Sequence, residues 1–293
     1  MTERLPSYGG QAVIEGVMMR GTKVAVMAVR TPQGIIKIHS ESLPNIYHNF
    51  ISRIPFLRGL ILLWDSLGLG MRFLTISANF QTGEDETIEG PAMFITMAVS
   101  LVIAVGAFFL APAIVGQLAE RWMGINAWWS NLFEGILRFI LLISYIWVVG
   151  KMPDIRRVFS YHGAEHKTIN AFESGALLTP DLVTHYSVEH PRCGTAFLLT
   201  LVVISIIIFS VLGPLPTLWR LSSRVLLLPV IAGLAYEFIR WTSRHLDSPW
   251  VRALVKPNLA LQHLTTREPT IDMLEVSIAA FNAMLALETA KTD

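Results

Sequence analysis

Residues Tyr161–Cys193 read YHGAEHKTINAFESGALLTPDLVTHYSVEHPRC. This polar stretch, of ordinary loop length, lies between strongly apolar runs. It gathers four of the chain's eight histidines and its single cysteine. It opens on His162-Gly163-Ala164-Glu165-His166. On a helix, His162 and His166 are four residues apart and meet on one face, with Glu165 beside the second. Gly163 counts against that helix by about 1 kcal/mol, and short His/Glu strings also arise where no metal binds.

The spacing is the H-x-x-E-H arrangement of inverted zinc peptidases, in which two imidazoles bind the metal and the carboxylate polarises its water. The stretch closes on His190-Pro191-Arg192-Cys193, a second imidazole–thiolate pair. Two ligand sets follow. His162, His166, His190 and Cys193 make a closed tetrahedral site of structural type. Alternatively, His162 and His166 share the metal with a distant carboxylate, Glu237, and leave room for water, with Glu165 as the catalytic base. Glu237 stands in an apolar segment, where an ionisable group is costly unless paired or bound to an ion. Pairing with Arg240 or Arg244 is its structural alternative. Zinc is the expected metal, since these borderline donors suit it and nothing demands a redox ion.

The apolar runs on either side decide the class. The chain has 293 residues, 53% hydrophobic and only 15% charged, against about 25% charged in soluble domains. Its mean hydropathy is +0.51. These values predict an integral membrane protein. The N-terminal MTERLPSYGG lacks the apolar core of a signal peptide, and one cysteine makes no internal disulfide. A net charge of +1, with no basic stripe and no zinc-finger spacing, excludes a nucleic-acid partner.

Candidate spans of about 20 residues are 90–119, 128–149, 195–213 and 221–241. Pro112 is expected to kink or end the first. Glu134 and Arg138 interrupt the second at a spacing that allows pairing, or Arg138 can snorkel. The fourth carries Pro229, Gly233 and Glu237 and reads as a broken helix. Four crossings put both termini and the central stretch on one side. Lys151, Arg156, Arg157, Arg192, Arg240 and Arg244 mark that side as cytoplasmic, against Arg121, Arg220 and Arg224 opposite.

Before the first span, Val24–Arg30 and 35–41 read as a β hairpin around Pro32-Gln33-Gly34. Glu15, beside Gly16, is a candidate functional carboxylate. Residues 55–80 read as a helix whose Arg58, Asp65 and Arg72 recur every seven positions. That charged stripe is expected to face the membrane interface or a cavity. GEDETIE at 83–89 reads as a solvated linker. After the last span, 254–264 reads as a short surface helix. Thr270 can cap a final helix whose apolar face needs a partner, most simply the N-terminal strands.

The expected organisation is a β-rich region at 1–54, an amphipathic helix and acidic linker at 55–89, and two transmembrane helices at 90–150. The His/Glu/Cys region follows at 151–194, two further transmembrane segments at 195–241 and a helical C-terminal region at 242–293. The fold class is a mostly α polytopic membrane protein with about four transmembrane helices, an amphipathic or re-entrant helix and a small cytoplasmic β unit.

Several long strings carry a family resemblance: GGQAVIEGVMMRG at 9–21, FSYHGAEHKTI at 159–169, HPRCGT at 190–195, the stretch 233–240 and LQHLTTREP at 261–269. With them the chain resembles the YqhQ-like family of bacterial membrane proteins, which carries the label of predicted metal-dependent enzymes. The resemblance implies a bacterial membrane location and a metal, and it brings no substrate. Three classes of function stay open: a zinc-dependent hydrolase at the cytoplasmic membrane face, a membrane assembly protein with structural zinc, and a small transporter or channel component built around Glu237, Glu134 and Arg138. A membrane-protein partner or a second copy of the chain is compatible with each. No internal inverted repeat supports the transporter.

Overall fold

The computed structural model describes residues 8–43, 54–83 and 91–290. The linker at 83–89 lies outside them apart from Gly83, as do the first seven residues read for a signal peptide. Strands β1 (Gly9–Val13), β2 (Gly16–Arg20), β3 (Val24–Arg30) and β4 (Ile36–Ser42) form an antiparallel meander in chain order. The expected hairpin forms, with Val24 opposite Ser42 and Arg30 opposite Ile36. Gly34 closes its turn at φ +81°, a conformation that only glycine adopts cheaply. Strand alternation sends Val13, Met18, Ala25, Met27 and Val29 to one face and Val17, Met19, Val24, Val26 and Ala28 to the other. Both faces are covered, which explains why β3 reads as an unbroken apolar run.

The helices follow as α1 (Leu57–Thr82), α2 (Pro91–Val105), α3 (Ala111–Met123), α4 (Ala127–Val149), α5 (Pro153–Glu173), α6 (Pro180–Val183), α7 (Thr195–Val211), α8 (Thr217–Leu226), α9 (Leu228–Arg244), α10 (Pro249–Thr265) and α11 (Ile271–Ala290). A π-helical turn, Gly106–Leu110, joins α2 to α3. The protein is thus mostly α-helical with a small N-terminal sheet, and four helices are long and apolar enough to cross a membrane: α1, 94–123, α4 and α11.

Packing separates these four. Helix α11 buries Leu274, Phe281 and Met284 against the sheet and α5, so its apolar face is already used. Helix α1 lays Phe73, with Leu69, Leu74 and Phe80, on the other sheet face. By contrast, Ile95, Val102 and Ile103 of α2 and Ile140, Trp147 and Val148 of α4 stay exposed, a surface suited to lipid rather than water. Trp128 and Trp147 on α4 are about 28 Å apart along the axis, close to a bilayer core bounded by aromatic belts. Helix α7 and the α8–α9 pair, bent by 43°, complete the bundle. The sheet and α11 pack together, so the described N- and C-terminal regions share one side.

Local chemistry explains the irregular helices. Pro112 does not end its span. It has no N–H for the Phe108 carbonyl four residues back, the π turn takes up the mismatch, and Arg138 Nε donates to that carbonyl at 2.8 Å. Pro229 does break the fourth segment, as expected, between α8 and α9.

Three expectations need correction. The Arg58–Asp65–Arg72 stripe does not face an open cavity: Arg58 pairs with Glu237 of α9, Asp65 with Arg20 of β2 at 2.8 Å and Arg72 with Glu41 of β4 at 3.1 Å. Residues 254–264 are not a short separate helix but part of the longer α10, which buries Val251, Val255 and Leu261, packs on α7 and leaves its other face exposed. Arg220 and Arg224 are not loop charges, because both are buried against Glu134.

Candidate metal centre

The HGAEH string lies in the middle of α5, a helix that starts with Pro153 in its first turn and Asp154 at its positive end. Gly163, a liability for an isolated helix, is a packing requirement here. A Cβ on it would lie 2.1 Å from the Arg267 carbonyl, so only glycine lets the chain after α10 cross this close. That crossing chain donates Arg267 N–H to the Phe159 carbonyl at 3.0 Å and brings the Thr265 carbonyl to His162 Nδ1 at 2.9 Å. One turn on, His166 Nδ1 meets the Val188 carbonyl. A carbonyl only accepts, so each Nδ1 donates its proton there. Backbone partners of this kind orient metal-binding histidines.

The same helix gathers the loop that carries the cysteine. Lys167 Nζ donates to the Thr184 and Tyr186 carbonyls, both at 2.8 Å. Asn170 Nδ2 donates to those of Ser187 and Glu189. Gln262 then clamps His190 through its backbone N–H and carbonyl, each at 2.8 Å. The chain emerges with Cys193 Sγ 3.2 Å from His162 Nε2, and Thr195 Oγ1 lies 3.2 Å from the same sulfur.

His162, His166 and Cys193 therefore form a cluster whose donor atoms all lie within 4.8 Å of one another. Two ligands on one tetrahedral zinc, with bonds of about 2.1 and 2.3 Å, stand about 3.6 Å apart. The donors fit such an ion after small adjustments, and the cluster sits between β1, α5 and the chain entering α7, close to the membrane-spanning helices.

Beside it lies a cavity of about 80 Å³, lined by the three donors, Glu165, Arg192 and the β1 glycines Gly9 and Gly10. Glu165 is buried, and burial pushes its carboxyl up to about 7, with the nearby His162 and the Gly10 N–H working against that rise. A Cβ on Gly10 would come within 2.9 Å of the Glu165 side chain, so glycine in β1 makes the approach possible. Arg192 of this lining is ion-paired with Glu173. Burial works to raise the Glu173 carboxyl, but His190 and Arg192 outweigh it and hold it below the usual range.

The family described as "Protein of unknown function (DUF1385)" matches residues 54–287. The chain belongs to this family. It is 36% identical to the "Uncharacterized protein YqhQ" of Bacillus subtilis (strain 168), over 97% of this chain and 93% of that protein. No solved structure matches it.

In this DUF1385 chain the sequence-predicted residues divide. His162, His166, Cys193 and Glu165 converge on one cavity. His190 also lines that cavity, its ring 5.6 Å from that of His166, but its Nε2 is 3.8 Å from Glu173 and 3.5 Å from Arg192. Burial pushes its pKa below the usual imidazole range. Glu237 joins neither set: Arg58 Nε holds it at 2.6 Å and the Phe56 N–H at 3.3 Å. Its partner is thus a distant arginine, not the local Arg240 or Arg244. Glu15 is not at the metal cluster. Held in the left-handed region at φ +53°, it grips Arg157 of α5 with both carboxylate oxygens and so fixes the β1–β2 turn against the histidine helix. The cavity residues missed from the sequence are Tyr8, Gly9, Gly10, Arg192 and Gly194. Gly10 stands in the GGQAVIEGVMMRG string that carries the family resemblance.

Proposed function

We propose that this chain is a zinc-dependent hydrolase at the cytoplasmic face of the bacterial membrane, with His162, His166 and Cys193 as metal ligands and Glu165 as proton acceptor. One observation carries the reading: both imidazoles commit Nδ1 to backbone carbonyls, and His162, His166 and Cys193 bring donor atoms within 4.8 Å of one another at a cavity that Glu165 also lines. Three protein donors next to open space are the pattern of a catalytic zinc site rather than a closed one. Zinc held there supplies Lewis acidity toward a carbonyl or phosphoryl oxygen and toward water. Glu165, anchored by the Gly10 N–H, takes the proton of an attacking water. Arg192 offers positive charge to an anionic part of the substrate. The cytoplasmic placement rests on Lys151, Arg156, Arg157 and Arg192 around the site. Burial of Arg220 and Arg224 removes them from the opposing charge count, which favours the same orientation.

A closed structural zinc site, in a protein of assembly rather than catalysis, is the second reading. It is favoured by His190, whose buried ring adjoins His166 and completes four donors if it turns from Glu173. Cobalt(II) substitution separates the two. For the open site, the visible bands of the cobalt protein shift on adding azide. His162→Ala and Cys193→Ser abolish the bands, and Glu165→Gln keeps them. Bands indifferent to azide and lost in His190→Ala instead establish the closed site.

A further inference from the structure

Among the described residues, the second concentration of buried charge lies inside the bundle, toward the end of α4 remote from the metal cluster. Arg138, Arg220 and Arg224 are 1%, 4% and 1% exposed, and the one fully buried carboxylate among them is Glu134, also 1% exposed. Arg224 donates to Glu134 through Nε at 2.9 Å and Nη2 at 2.8 Å, Arg138 at 2.7 Å and Arg220 at 3.2 Å. Three guanidiniums against one carboxylate leave a positive excess in a medium of low dielectric constant, where ionisable groups mark functional sites by default. The excess concentrates on Arg220. Its Nε is buried with no partner, and its remaining anion is Glu120, 2.9 Å away and about one-third exposed.

The cluster opens at a defined depth. Gln117 and Arg121 of α3 both donate to Thr217 Oγ1 at the start of α8, forming a polar collar beside Arg220 and Glu120. Around it stand Trp122, Trp128, Trp129 and Trp219, all more than half exposed. Such tryptophans mark the level of lipid headgroups. Glu120 occupies the outer side of Arg220 through Nη1, so an incoming oxyanion takes the place of Glu120 on a guanidinium whose buried Nε–H has no partner of its own.

We propose that Arg220, with Arg138 and Arg224 supplying the surrounding field, binds a phosphate-class anion at headgroup depth, in competition with Glu120. The anion comes either from the headgroup of an anionic phospholipid or from free phosphate. This site is independent of the metal centre. The test is thermal unfolding of the full chain in uncharged detergent, followed by tryptophan fluorescence during titration with phosphatidylglycerol, phosphatidylcholine or inorganic phosphate. Stabilisation by phosphatidylglycerol but not phosphatidylcholine identifies the lipid source, and stabilisation by inorganic phosphate identifies the soluble one. In either case Glu120→Gln, at a partly exposed position, lowers the half-saturating concentration about tenfold, and Arg220→Gln abolishes the response. The proposal is overturned if neither phosphatidylglycerol nor inorganic phosphate stabilises the wild type, or if Glu120→Gln leaves the half-saturating concentration unchanged. That second outcome does not depend on whether Arg220→Gln folds.

Discussion

The histidine cluster on α5 and the arginine cluster inside the bundle are both buried and polar, yet they are built on opposite principles. At the first, hydrogen-bond capacity is turned away from the centre: Nδ1 atoms go to the Thr265 and Val188 carbonyls, and the other edge of the His162 ring faces the Cys193 sulfur. At the second, most capacity is turned inward, with three guanidiniums converging on Glu134. The first is organised to receive a cation. The second already holds its charges together and leaves only the Arg220 edge open. A buried polar cluster is thus best understood by asking which of its atoms are already satisfied, rather than by counting its charges.

The sharpest way to break this contrast is Glu134→Gln. Removing the shared carboxylate leaves three guanidiniums buried without their main anion, and breaking such a network costs about 3–5 kcal/mol. Unfolding in detergent should therefore fall steeply, with or without a chelator present. A variant as stable as the wild type would show that the cluster is hydrated rather than dry. Gly163→Ala comes next. Its Cβ collides with the Arg267 carbonyl, and overpacking of this kind costs about 2 kcal/mol. Because that crossing chain also orients His162, metal binding should weaken together with stability. Unchanged metal affinity would separate the crossing from the site.

The smallest effect concerns acid. Glu173 has a folded pKa below its ordinary 4.5, so the folded state holds fewer protons than the unfolded state in that range. Its contribution is present above about pH 4.5 and is lost as pH falls through the lower folded value. The pair with Arg192 is about one-third exposed, which limits it to about 1 kcal/mol or less. Wild type and Glu173→Gln should differ in unfolding midpoint at pH 7 and converge as pH falls below the lowered folded value. A gap that persists in acid would assign the role of Glu173 to something other than its charge.

What could be read from the sequence follows the same division. His162, Glu165 and His166 are contiguous, and helical spacing alone puts the two imidazoles on one face. The sheet alternation and the apolar spans are likewise local patterns. Arg220 and Arg224 meet Glu134 across about ninety residues, and nothing in their own neighbourhood distinguishes them from loop charges. Glu237 illustrates the same limit: its nearest sequence candidates were Arg240 and Arg244, and the partner that wins is Arg58 on a helix 179 positions away. Helix α1 was legible as amphipathic, but the sheet that takes its apolar face could not be seen from the helix itself. Gly163 looked like a defect because its function depends on the carbonyl of Arg267, far later in the chain.

Zinc K-edge X-ray absorption on the protein purified without chelator tests the central claim most directly. The expected result is about one zinc per chain, with a single sulfur near 2.3 Å and the remaining nitrogen or oxygen neighbours near 2.0–2.1 Å. The sulfur shell should vanish in Cys193→Ser. A protein without zinc whose Cys193 is freely alkylated would contradict the claim and leave His162 and Cys193 as a simple hydrogen-bonded pair.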